Sequence, residues 1–296
     1  MNWFSPHKIL IQGITSYQAA FYALQMKAQG TNIVAGVSPG NGGTKVSGTP
    51  VFDLVEQALS YSDQIDISLI FVEPYQVLDA ATEAIAARIR RLIIFTSQVP
   101  PLDTIKLIQR AQKTDTLILG PGSHGILIPQ ELWLGNLHPQ FYRPGTIGLI
   151  TTSRHLCHEV AAELNAASQG QSIVVSLGND RIIGSNLPYW LSILNGDART
   201  SAIVVIGQRI DQVEAITAYV RDHGHHKPLI FYLAGLQTPQ EQVYNDAPTI
   251  ISNHLSASIP VVNRDRQKTA KLREIGIKLA QRPSEIPTLI NQICQS

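Results

Sequence analysis

The stretch Lys8-Ile9-Leu10-Ile11-Gln12-Gly13-Ile14-Thr15 decides the fold class. An apolar run too short for a helix stops at a glycine, and Ala20, Phe21, Leu24 and Ala28 then recur at helical spacing. This is a buried strand turning directly into a helix. Working outward, Ile33 to Val37 reads as the next strand and Ser38-Pro39-Gly40-Asn41-Gly42-Gly43 as a glycine-rich loop. Ile67 to Val72 is apolar throughout, as expected of a strand covered on both faces. Leu78 to Arg90 has a helical stripe, and Leu92 to Thr96, Leu102 to Gln112 and Thr116 to Leu119 repeat strand, helix, strand. Such alternation predicts a parallel sheet with crossover helices.

The proline- and glycine-rich residues Gly120 to Gly145 break the rhythm, and an inter-domain connection is expected at 126–145. A second alternating set follows. Its strands are Thr146 to Ile150, Ser172 to Ser176, Ser201 to Ile206 and Pro228 to Leu233; its helices are His155 to Ala167, Leu187 to Asn195 and Asp211 to Asp222. A basic helix near Arg264 to Ile275 and a last helix near Ser284 to Gln295 complete the pattern. The expectation is therefore an α/β chain with two doubly wound domains, 1–125 and 146–296.

Bulk properties narrow the function. The chain has 296 residues, 44% hydrophobic and 15% charged, with a formal net charge of +1. That is a globular composition with no basic surface for nucleic acid and no run long enough to span a bilayer. Met1 to Pro6 lacks the pattern of a signal peptide, so a soluble cytoplasmic protein is expected. Cys157 and Cys294 form no C-x-x-C pair, which argues against a zinc site or a disulfide framework. Cys157 reads as a buried thiol on an apolar helix face. His223, His225, His226 and His254 read as solvated loop residues, with a metal site or substitute phosphoryl carrier as the sharper alternative.

Several runs together resemble the α subunit of NDP-forming acyl-CoA synthetases, above all succinyl-CoA synthetase. They include Ile11 to Thr15, Gly30 to Val37, Pro39-Gly40 with Gly42-Gly43-Thr44, Gly48 to Phe52, Gly120-Pro121, Asp180, Ile183 to Asn186, Ile206-Gly207 and Tyr232 to Gly235. The resemblance implies a Rossmann-like coenzyme A (CoA)-binding domain followed by a flavodoxin-like ligase domain. It also implies an ATP-grasp β-type subunit, or a second copy of the chain, as partner. In the family a phosphohistidine passes its phosphoryl group to the acid before CoA takes the acyl group.

Here the matching stretch, Asn245-Asp246-Ala247-Pro248, has Asp246 in place of that histidine. Gln208 replaces the glutamate that orients it. Thr151-Thr152-Ser153-Arg154 stands for the serine- and glycine-bearing turn that helps hold the phosphoryl group, with Arg154 at the glycine, and Ser123 falls in an altered Gly-Pro-containing loop. Asp246, Gln208, Ser123 and Ser153 are thus degenerate family positions, and no catalytic residue is assigned.

The ligand loops are better kept. Gly13, Thr15, Ser16 and Gln18 follow the first strand; Ser38, Pro39, Gly40 and Asn41 follow the second; Val72, Pro74, Thr96 and Ser97 line the cleft. Open α/β sheets bind ligands at these strand ends, so CoA or an adenine nucleotide is expected there. Asn41 replaces the family's lysine, which removes a charge that pairs with phosphate. The blander reading makes Gly13 a plain connection and Gly40, Gly42 and Gly43 aids to positive φ. Three functions follow: a non-catalytic CoA- or nucleotide-binding regulatory or scaffold subunit, an active ligase with another phosphoryl carrier, and an interaction protein without ligand.

Overall fold

The Lys8 to Thr15 unit lies at the centre of the first of two sheets in the computed structural model, which describes residues 7–207, 211–224, 226–234, 272 and 275–294. Strand β1 (Ile9–Gln12) is buried along its whole length. It runs parallel to β2 (Ile33–Val37) on one side and to β5 (Ile67–Ile70) on the other. A two-stranded hairpin, β3 (Lys45–Val46) and β4 (Thr49–Phe52), extends the β2 edge, while β6 (Arg91–Ile94) and β7 (Leu117–Leu119) extend the β5 edge. The sheet order is β3-β4-β2-β1-β5-β6-β7. Without the antiparallel β3, this is the 3-2-1-4-5-6 order of a dinucleotide-binding sheet.

Strand alternation sorts the core into two faces. Leu10, Ala35, Ile70 and Ile94 pack with helices α2 (Val55–Ser62), α3 (Val77–Ala86) and α4 (Pro101–Lys113). Ile9, Ile11, Leu69 and Ile93 join α1 (Tyr17–Ala28) in a core continuous with the second sheet. Helix α1 begins at Ser16, whose Oγ accepts the Ala19 N–H at 3.3 Å and so satisfies one of the free amides of the first turn.

The segment 126–145, expected as a connection, carries strand structure. Strands β8 (Gly125–Ile128) and β9 (Leu132–Gly135) form a hairpin around Gln130, which has φ +65°. Strand β8 pairs antiparallel with β11 (Gln171–Ser176). The other members of this sheet are parallel: β10 (Pro144–Thr151), β12 (Ala202–Gly207), β13 (Leu229–Leu233) and β14 (Lys278–Ala280). Their order with β11 is β14-β13-β12-β10-β11, the 2-1-3-4-5 order of flavodoxin-like sheets. Helices α5 (Arg154–Ala166), α6 (Leu187–Gly196), α7 (Asp211–His223) and α8 (Ile286–Cys294) complete the described elements. The basic helix expected near Arg264 to Ile275 lies almost wholly outside the described residues.

Candidate functional site

At the first switch point the chain leaves β1 through Gly13, with φ +78°. A Cβ there would stand 3.0 Å from the Phe71 carbonyl carbon and 3.1 Å from Val72 Cγ1, so the turn needs glycine. Thr15 Oγ1 and Ser38 Oγ share a hydrogen bond of 2.7 Å, and Asn41 Nδ2 donates to Ser38 Oγ at 3.2 Å. The loops after β1 and β2 are therefore tied to each other. The loops after β5 and β6 are tied likewise: Thr96 Oγ1 donates to the Val72 carbonyl at 2.6 Å, above a Phe71–Phe95 stack with centroids 4.2 Å apart.

All the residues expected to bind a ligand lie after these strand ends. Thr15, Ser16, Gln18, Pro39, Gly40 and Asn41 are exposed, whereas Ser38 is buried beneath them. Space beside Gly40 is open, with no atom within 4 Å of a built Cβ, and the first turn of α1 carries no acidic side chain. Hydroxyls, an uncharged helix start and an open glycine face suit a phosphate-bearing chain such as CoA.

One feature of this cleft is not predicted from sequence. Asp53 Oδ1 accepts the N–H groups of Gly40 at 2.7 Å and Gly42 at 3.0 Å. The glycine loop thus spends amides on an internal carboxylate. Its shape is fixed in advance, and the negative charge opposes an anion alongside. The sequence signal was weak, an Asp just past a short unpredicted strand.

The second switch point lies between β10 and β12. Thr151 Oγ1 donates to the Ser153 carbonyl at 2.8 Å and accepts the Ser153 N–H at 2.9 Å, which shapes the turn into α5. The Ser153 hydroxyl makes no capping bond. A cleft of about 290 Å³ opens here, lined by Thr152, Asn179, Asp180, Arg181, Asn186 and Gln212 among others. Gln208 and Asp246 lie outside the described residues. Ser123 is fully buried: its Oγ donates to the Ser176 carbonyl at 2.6 Å and accepts the Gly125 N–H at 2.9 Å, so it pins the hairpin and is spent there.

A bridge and a histidine stand between the two switch points. Asp180 accepts the backbone N–H groups of Gln98 at 2.9 Å and Val99 at 3.1 Å, clasping the first sheet's loop from the second. His124 Nδ1 is 2.9 Å from Asn136 Oδ1, and Asn136 is itself buried. Desolvation, only partly opposed by that hydrogen bond, lowers the His124 pKa to about 4, with smaller contributions from Arg154 and His155. The imidazole is neutral and donates through Nδ1. Its proximity to the α5 turn arises from tertiary pairing of β8 with β11, which local sequence does not reveal. Burial likewise pushes the Cys157 thiol up to about 12, in keeping with a structural role.

Residues 4–98 match the family described as the CoA binding domain, and residues 144–251 match the succinyl-CoA ligase-like flavodoxin domain. Over 287 residues the chain is 33% identical to the succinate–CoA ligase [ADP-forming] subunit alpha 2 of Archaeoglobus fulgidus, covering 97% of this chain and 96% of that one. It is 29% identical to the ADP-forming sulfoacetate-CoA ligase subunit SqwL of an Acholeplasma species, covering 97% and 95%. ATP citrate lyase from Methanothrix soehngenii, solved with citrate and coenzyme A, shares the fold at a TM-score of 0.79 and 18% identity. The match covers 98% of this chain and 50% of that one. With two family domains in order and a relative alike over nearly its whole length, the chain belongs to the succinate–CoA ligase α-subunit family.

Proposed function

We propose that this chain is a CoA-binding α-type subunit that carries no phosphoryl group of its own and serves a regulatory or scaffold role beside an ATP-grasp β-type partner. The observation that carries the reading is Asp246 at the position of the family's phosphoryl-bearing imidazole. CoA, when bound, would supply a thiol. Gly13, Thr15, Ser16 and Gln18 would meet it at the start of α1, Ser38 to Asn41 at the glycine loop, and Val72, Pro74, Thr96 and Ser97 along the cleft. An adenine nucleotide would use the same loops. A cytoplasmic setting fits the family, and no described helix is long and apolar enough to cross a membrane.

The alternative, an active ligase with another carrier, draws on His124 beside Arg154. Two features weigh against it. The imidazole is anchored through Nδ1 at the start of a core hairpin, unlike a carrier that travels between sites, and its low basicity makes a poor nucleophile. Incubation with labelled ATP and a β-type subunit tests the choice. No acid-labile, base-stable label is expected; such label on the chain overturns the non-catalytic reading, and label lost in His124→Gln assigns the carrier. CoA binding is measured separately by calorimetry, and sedimentation with and without the β-type subunit tests the partner against self-association.

A further inference from the structure

The backbone N–H groups of the glycine loop, from Ser38 to Thr44, are all engaged within the chain. Gly40 and Gly42 donate to Asp53 Oδ1 at 2.7 and 3.0 Å. Ser38 donates to the Phe52 carbonyl at 2.9 Å, Asn41 to the Ser38 carbonyl at 3.0 Å, Gly43 to the Val51 carbonyl at 2.9 Å and Thr44 to the Asn41 carbonyl at 3.3 Å. Pro39 has no N–H to give. Loops that cradle phosphate do so by turning such amides toward it. Here two of them converge on one carboxylate oxygen, as they would on an oxygen of a phosphate, and the others close the loop on itself.

The carboxylate is held at this place from both sides. Asp53 directly follows β4, and its own N–H and that of Leu54 donate to Gln57 Oε1 at 3.1 and 3.3 Å in the first turn of α2. A Cβ at Gly42 would stand 2.4 Å from Asp53 Oδ2, so glycine at that position is what lets the carboxylate approach. The side chains around it do not offset its charge. Asn41 Nδ2 donates to Ser38 Oγ at 3.2 Å and the Pro39 carbonyl at 3.4 Å, and Lys27 Nζ donates to the Ser47 carbonyl at 3.0 Å and Thr49 Oγ1 at 3.1 Å. The neighbouring start of α1 differs: its first turn has no acidic side chain.

We infer that Asp53 is a resident anion that determines the phosphate specificity of this crevice. It stands where the loop would receive a ligand's phosphate, and leaves the start of α1 to receive one alone. The inference rests on the CoA reading above and refines it. CoA carries a diphosphate and a further phosphate on its ribose. The Thr15–Ser38–Asn41 hydrogen bonds set the α1 turn and the glycine loop side by side, so a ligand with one phosphate group at the turn brings the other toward Asp53. That second group meets like charge and finds no amide. The crevice therefore takes a pantetheine nucleotide through its diphosphate, and dephospho-CoA serves it as well as CoA.

Calorimetry on the full chain compares CoA with dephospho-CoA. The two should bind the native chain within about threefold of each other. Asp53→Asn keeps an Oδ1 that accepts from both amides and removes only the charge. It should raise CoA affinity about three- to tenfold, with a gain that shrinks as salt rises, and leave dephospho-CoA within about twofold. A carboxylate that did no more than shape the loop would move neither ligand. Asn41→Lys, which adds a cation and leaves Asp53 in place, should open the same preference for CoA, and it serves alone if thermal melts show that Asp53→Asn fails to fold. A native preference for CoA of about tenfold or more overturns the inference, as does a change in the folded variants that is absent or equal for the two ligands. Binding of neither ligand overturns the CoA reading and this inference together.

Discussion

The two sheets place a crevice at the carboxyl ends of their strands by the same topological rule, but their residues have different chemistry. At the first switch point the glycine turn, the hydroxyl pair Thr15–Ser38 and the open face at Gly40 remain suited to a ligand. At the second, Thr151 shapes the turn into α5, Arg154 opens that helix, and a buried hydrogen bond consumes Ser123. Shape is maintained by backbone and core, which are common to both; chemistry is maintained by a few side chains, which are not. The same fold can therefore present two crevices whose side chains offer different chemistry.

The largest expected effect comes from breaking the better-kept crevice. Gly13→Val places a branched side chain at φ +78° against the Phe71 backbone, adding strain of about 1–3 kcal/mol and displacing the turn that ends β1. CoA affinity should fall on the order of a hundredfold, equivalent to about 2.7 kcal/mol, by calorimetry. Unaltered binding would move the CoA site away from this turn. Next comes the clasp between the two crevices. Asp180→Ala strips the acceptor from two N–H groups and should lower unfolding stability by about 1–3 kcal/mol in urea melts. Asp180→Asn, which retains one acceptor oxygen, should lose less.

Much of this was legible beforehand because local patterns carry it. The apolar runs at Ile9, Ile33, Ile67 and Ile203 mark central parallel strands, and their strand ends locate the first crevice without any tertiary information. The β8–β9 hairpin was not legible. Ile126 to Ile128 and Trp133 to Leu134 are buried on both faces, so no polar alternation announces them, and the flanking glycines and prolines read as loop. The Asp53 clamp was missed for a related reason: it depends on β4, a short strand fixed by pairing with β2. Tertiary pairing also brings His124 to the α5 turn.

A smaller effect sharpens the first crevice. Asn41→Lys adds a cation to the glycine loop beside the amides that Asp53 holds. CoA affinity should rise about three- to tenfold, and the gain should shrink as salt screens an exposed pair. A gain that persists at high salt would mean that the lysine acts by reshaping the loop.

A stability effect of comparable size probes the second crevice through pH. Burial holds the His124 pKa at about 4 in the folded chain, against 6.5 for a free side chain. Above pH 6.5 the ring is neutral in both states and folding carries no penalty. As pH falls from 6.5 toward 4, the unfolded chain takes up a proton that the folded chain refuses, so stability declines across that window. The ring is partly exposed, so solvent screening holds the contribution to about 1–2 kcal/mol. His158 adds to the same trend: burial, with nearby His138 and Arg154, lowers it to about 4 as its ring stacks on Phe141 at 4.5 Å. Urea melts at about pH 7.5 and about pH 5 should therefore show a larger difference for the native chain than for His124→Gln, because glutamine cannot be protonated. The variant need not match native stability at either pH, since only the difference between the two melts reports the imidazole. An unchanged difference would mean that His124 titrates alike folded and unfolded, and a ring that readily becomes cationic would make the second crevice an anion site after all.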